Sequence, residues 1–143
     1  MGILQGRVAI ITGAGQGIGR GIALAFIKEG ACVTVADINP QTAANTAAEI
    51  RELGGKALAV SCDVGKREQV RKMVEQTVSE FGTVDILVNN AQASENHRPV
   101  EAITDEDVHS TLGSGFLGTL YCSQACFPYL KEKGGKVINM ASA

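Results

Sequence analysis

The run T-G-A-G-Q-G-I-G at residues 12–19 puts four glycines into eight positions. Flanked by an apolar run on one side and helical periodicity on the other, that spacing suits the binding of a pyrophosphate. Gly13 allows a tight turn, Gly17 lets phosphates approach the backbone, and Gly19 lets the following helix pack closely, with free N–H groups at its start. Asp37 lies 18 residues beyond Gly19, near the ~20-residue spacing at which a carboxylate accepts hydrogen bonds from a ribose. A carboxylate there repels a 2′-phosphate, and Gln16 brings no compensating positive charge. NAD is therefore favoured over NADP, and the chemistry expected is hydride transfer.

Other reactive side chains are less suggestive. Tyr129 and Lys133 stand at i,i+4 on one helix face, but they precede the last strand, at the end of the sheet opposite a ligand crevice, so ordinary helix-end surface is expected. His97 falls in a polar loop and reads as solvated; His109, early in a capped helix, reads as surface. Cys32, Cys62, Cys122 and Cys126 form no C-x-x-C pair and have no flanking histidines, so buried reduced thiols are expected and no metal site. Ser142, alone at the end of V-I-N-M-A-S-A, is unremarkable by itself.

The elements that must position these groups follow from periodicity. Apolar strand runs at 7–12, 32–37, 57–63, 85–90 and 136–142 alternate with helical patterns, the last predicted as one helix from the T-D-E-D start near 104 to about Leu130. Single helices between strands imply parallel pairing with helices on both faces, because parallel strands need a right-handed crossover. The expected fold is an α/β, doubly wound Rossmann-type sheet of five strands and four helices in the order 3-2-1-4-5, one dinucleotide-binding domain over 1–143. The strand V-I-N-M-A-S-A reads as buried, yet this order makes it an edge.

Composition narrows the partners. With 45% hydrophobic and 20% charged residues and a net charge of −2, the chain suits a globular protein with a small-molecule partner. It carries no Lys/Arg block for nucleic acid or an anionic membrane, and no apolar run of the ~18 residues that a span requires. The M-G-I-L-Q-G-R start is unlike a signal peptide, and a cytoplasmic setting is expected.

The G-x-x-x-G-x-G spacing, C-D-V at 62–64, N-N-A at 89–91 and I-N-M-A-S at 138–142 closely resemble the short-chain dehydrogenase/reductase family, in family order along the whole chain. The resemblance implies that Thr12, Gly13, Gly17, Ile18 and Gly19 surround the cofactor phosphates, with Gln16 also in the cofactor site, and that Asp37 and Ile38 hold the adenosine ribose. Asp63 and Val64 would hold the adenine, and Asn90 and Ala91 the ribose nearer the nicotinamide. It makes Ser142 the catalytic serine that orients the oxygen of an alcohol or ketone substrate, and a homo-oligomeric full-length form is expected. The family's Y-x-x-x-K acid/base pair follows that serine, whereas only Ala143 follows here. The expectation is thus the first part of such an enzyme; a non-catalytic dinucleotide-binding module is the alternative. Two positions depart from the family pattern. Gln92 replaces a glycine, and Gly115, within L-G-S-G-F-L-G, replaces an asparagine that marks a helix kink in the proton relay. Three glycines within six residues should also weaken the helix locally.

Overall fold

The computed structural model describes residues 2–93 and 98–141. Five strands, β1 (Val8–Thr12), β2 (Cys32–Asp37), β3 (Lys56–Ser61), β4 (Ile86–Asn89) and β5 (Lys136–Asn139), alternate with helices α1 (Gly17–Lys28), α2 (Pro40–Glu52) and α3 (Arg67–Phe81). Between β4 and β5 lie a 3₁₀ turn, α4 (Asp105–Leu112), a π-helical turn (Gly113–Leu117) and α5 (Gly118–Lys133). All strands pair in parallel in the order β3-β2-β1-β4-β5, the doubly wound Rossmann-type arrangement expected.

Alternation along the strands builds two cores. Ile10 and Leu87 face a layer with Val70, Met73 and Val74 of α3 and Cys122, Cys126 and Leu130 of α5. Ala9, Ile11, Val33, Val35 and Val88 face the other, against Ala23 of α1 and Ala43, Ala47 and Ile50 of α2. The alanines on α2 let that helix approach closely. Its start is set by Asn39, whose side chain accepts from the N–H groups of Gln41 and Thr42, with Pro40 in the first turn. α4 begins in a capping box between Thr104 and Asp107.

Strand pairing is pinned at both ends where the winding reverses, between β1 and β4. At the N-terminal ends, buried Asp85 accepts from the N–H of Val8 at 2.9 Å and its carboxylate lies 3.5 Å from Arg7 Nη1. At the C-terminal ends, Thr12 Oγ1 accepts from the N–H groups of both Asn90 and Ala91, each at 3.0 Å.

Two expectations need correction. The fourth helical pattern is one continuous path to Lys133, but α4 and α5 are separated by the π-helical turn at the glycine-rich stretch. Wide turns of this kind relieve a run of poor helix formers without ending the helix. β5 is not buried: all four of its residues are exposed, because its outer edge has no neighbour among the described residues. Ser142 lies outside the described residues.

Candidate functional site

The carboxyl ends of β1 to β4 open onto a cleft of about 730 Å³, the size of a small-molecule site. Gly13, Gln16, Gly17 and Ile18 form one wall, and Asp37 and Ile38 close it beyond β2. Cys62, Asp63 and Val64 follow β3, Asn90 to Ala93 follow β4, and Ser110 and Ser114 reach in from α4 and the π turn. Of the residues expected at a cofactor, ten therefore line one cleft. Thr12 and Gly19 are buried behind it.

The glycine turn is held from several sides. The N–H of Gly15 donates to Asp37 Oδ2 at 2.9 Å, and its carbonyl accepts from Thr46 Oγ1 at 3.0 Å. A Cβ at Gly15 would lie 2.3 Å from Thr42 Oγ1, and one at Gly19 only 2.2 Å from the Gly13 carbonyl oxygen. Gly13 has φ +63° and a carbonyl that accepts from Asn90 Nδ2 at 3.3 Å, while the same amide donates to the Thr12 carbonyl at 3.0 Å. Thr12 and Asn90 thus spend hydrogen bonds on fixing the turn, and what faces the cleft is backbone.

That backbone ends in the first turn of α1. Gln16 makes no side-chain cap, and the first turn holds no acidic residue. The N–H groups and the positive end of the helix dipole are left to a ligand, which is the chemistry a pyrophosphate requires. No lysine or arginine is among the described residues that line the cleft. Arg20, one turn along, is engaged by both carboxylate oxygens of Glu49 on α2.

The acidic residues are fixed by backbone donors. Asp37 accepts from Asn39 N–H through Oδ1 at 3.0 Å. Asp63 Oδ1 accepts from Gly65 N–H at 2.9 Å, and the Asp63 N–H donates to Gln69 Oε1 at 2.7 Å. Beside Asp63, burial pushes the Cys62 thiol from 9.0 up to about 11, with the neighbouring carboxylate adding to the effect. The thiol is therefore protonated at neutral pH and is no nucleophile.

At the other end, the Ala93 N–H donates to Ser114 Oγ at 2.8 Å, and that hydroxyl donates to the Ser110 carbonyl at 2.9 Å. Ser110, Ser114 and Ala93 as wall residues escaped the sequence reading, as did Gly15. Serines at i,i+4 on a glycine-rich helix resemble any polar face. Thr42 and Thr46, also at i,i+4, were the local hint for Gly15. Tyr129 is half-buried against the α3/α5 core and Lys133 is exposed; neither lines the cleft. His109 is exposed on α4, and His97 lies outside the described residues.

Comparison with known proteins agrees with this geometry. The sequence profile described as short chain dehydrogenase matches residues 7–143. A 12alpha-hydroxysteroid dehydrogenase of Clostridium sp. is 41% identical over 99% of this chain and 58% of its own length. The structure of a 3-ketoacyl-(acyl-carrier-protein) reductase from Brucella melitensis, complexed with NADH, superposes with a TM-score of 0.90 at 39% identity, covering 97% of this chain and 58% of that one. A 7alpha-hydroxysteroid dehydrogenase bound to NADH and 7-oxo glycochenodeoxycholic acid gives 0.90 at 36% identity, over 97% and 54%. The chain spans little more than half the length of these relatives.

Proposed function

The chain belongs to the short-chain dehydrogenase family, and from that premise we propose that its cleft binds a nicotinamide dinucleotide, NAD in preference to NADP, for hydride exchange with an alcohol/carbonyl pair. The uncapped first turn of α1 beneath the glycine turn carries this reading, since it offers an anion unpaired N–H groups in a cleft of suitable size. The backbone from Gly17 to Gly19 would take the pyrophosphate. Asp37 and Ile38 take the adenosine ribose, Asp63 and Val64 the adenine, and Asn90 and Ala91 the second ribose.

Preference for NAD rests on Asp37 at the ribose end and on the lack of a cation in the described wall. A 2′-phosphate would meet a fixed carboxylate with nothing to offset it. The nicotinamide supplies the hydride chemistry when bound; the protein's part is to orient it and the substrate oxygen, a role we assign to Ser142. Titration of NADH and NADPH by fluorescence tests the cofactor reading. NADH should bind the more tightly, and Asp37→Ala should narrow the gap; tighter NADPH binding would overturn it.

A second reading, a dinucleotide-binding module without catalysis, is favoured for the 143-residue polypeptide by one observation. No tyrosine, lysine or histidine is among the described residues lining the cleft, and its two carboxylates, Asp37 and Asp63, are assigned above to the adenosine end, away from the hydride chemistry. NADH binding without NADH oxidation across a panel of ketones supports this reading; turnover refutes it.

A further inference from the structure

Gln92 and Gly115, distant in the chain, meet at the end of the cleft beyond β4. A Cβ added at Gly115 would lie 3.9 Å from Gln92 Cγ and 4.0 Å from its Nε2. The Gln92 side chain therefore lies over the bare backbone of the π turn, in space that a longer side chain at 115 would claim. The loop carrying it is tied to the same turn by the Ala93 N–H to Ser114 Oγ bond. Among the described residues, the Gln92 carboxamide makes no hydrogen bond, though it lines the cleft next to Asn90 and Ala91. An amide offers two donors and an acceptor, and here all are left to whatever occupies that end.

We propose that Gln92 is a specificity-determining residue for the nicotinamide half of the dinucleotide. Its carboxamide, given room by the missing side chain at Gly115, is a hydrogen-bonding group at that end of the cleft with no partner among the described residues. This rests on the dinucleotide reading above. It makes the two positions one unit: the glycine at 115 is what allows the glutamine at 92 to lie where it does.

ADP-ribose, which carries the adenosine, both phosphates and both riboses but no nicotinamide, separates this contact from a general effect on the fold. Gln92→Leu is expected to weaken NADH about tenfold, as expected for a lost hydrogen bond, while ADP-ribose affinity stays within about twofold. Gly115→Ala should bind NADH normally, because its Cβ meets Gln92 at ordinary contact distance. Gly115→Asn should weaken NADH by displacing Gln92, and the Gln92→Leu/Gly115→Asn double variant should be no weaker than the worse single one, the non-additivity of a shared site.

Unchanged NADH binding in Gln92→Leu overturns the proposal, as does equal weakening of NADH and ADP-ribose, which would mark a purely structural role. Should Gln92→Leu fail to fold, Gln92→Asn, which withdraws the amide by one methylene, is read in the same way. Wild-type protein that binds neither ligand overturns the dinucleotide reading and this proposal with it. Wild-type binding of both, with no loss in the variant, overturns this proposal alone.

Discussion

Glycines with the same one-letter signal do different work. Gly19→Ala would force a Cβ to 2.2 Å from the Gly13 carbonyl, and overpacking of this kind costs about 1–3 kcal/mol; NADH binding should fall with it, because the turn itself must move. Gly17 has open space around its Cβ position but φ +55°, so Gly17→Ala should cost about 1–2 kcal/mol through backbone strain alone. Urea denaturation reads both costs, and NADH titration should show a loss in each, since the open space beside Gly17 is the cleft itself. The motif was legible in the sequence, but these reasons were not. Gly19 is constrained by a carbonyl and an asparagine amide, and Asn90 sits 78 residues from Thr12, a separation at which no local pattern reports contact. The buried thiols show the same limit. Burial raises Cys62 to about 11 and Cys126 to about 12 from 9.0, and lifts Cys122 further. Above pH 9 the unfolded chain has lost thiol protons that the folded chain keeps. The stability these thiols contribute is therefore intact below pH 9 and declines above it, up to about pH 11 for Cys62 and about pH 12 for Cys126, by up to about 1.4 kcal/mol per pH unit per thiol. Urea midpoints across that range should fall less steeply in Cys62→Ala.

Glycines in the helix after β4 show why an element can be recognised while its geometry is misjudged. Composition alone marks the stretch as weak helix, and the π turn at Gly113–Leu117 is where that weakness appears. The glycines bounding it have opposite roles. Gly113 has helical dihedrals with nothing near its Cβ position, so Gly113→Ala should stabilise by about 0.5–1 kcal/mol. Gly118, buried at the start of α5, would place a Cβ 2.6 Å from Val64 Cγ2. Gly118→Ala should destabilise, and because Val64 lines the cleft it should also weaken AMP binding. Thermal melts of the two variants should therefore move in opposite directions, a difference invisible to propensity because it depends on what α5 packs against. β5 was misjudged for a related reason: an apolar run such as V-I-N-M reads as buried, but burial needs a neighbour on each side, and only β4 supplies one among the described residues.

Across the whole molecule, strand order and the placement of the glycine turn were legible, since alternation and the crossover rule leave few topologies. The exposed apolar surface was only partly so. Val137 and Ile138 on β5 are 45% and 42% exposed, and Phe116 and Phe127 on the adjoining helical path are 67% and 59% exposed. An open parallel edge beside apolar side chains invites association. The 143-residue polypeptide should therefore show concentration-dependent sedimentation, relieved by Val137→Lys; a monodisperse monomer that melts cooperatively would overturn this. The pinned pairing of β1 with β4 has a further consequence, in the order of events as the chain is made. The first three strands and three helices can assemble early, but one edge of β1 must wait until Asp85, 77 residues after Val8, has left the ribosome. Until then the glycine turn lacks Asn90 and the Val8 amide lacks its carboxylate. The ligand cleft therefore acquires its shape only once β4 has emerged, and a nascent chain halted before β4 should hold secondary structure without holding nucleotide.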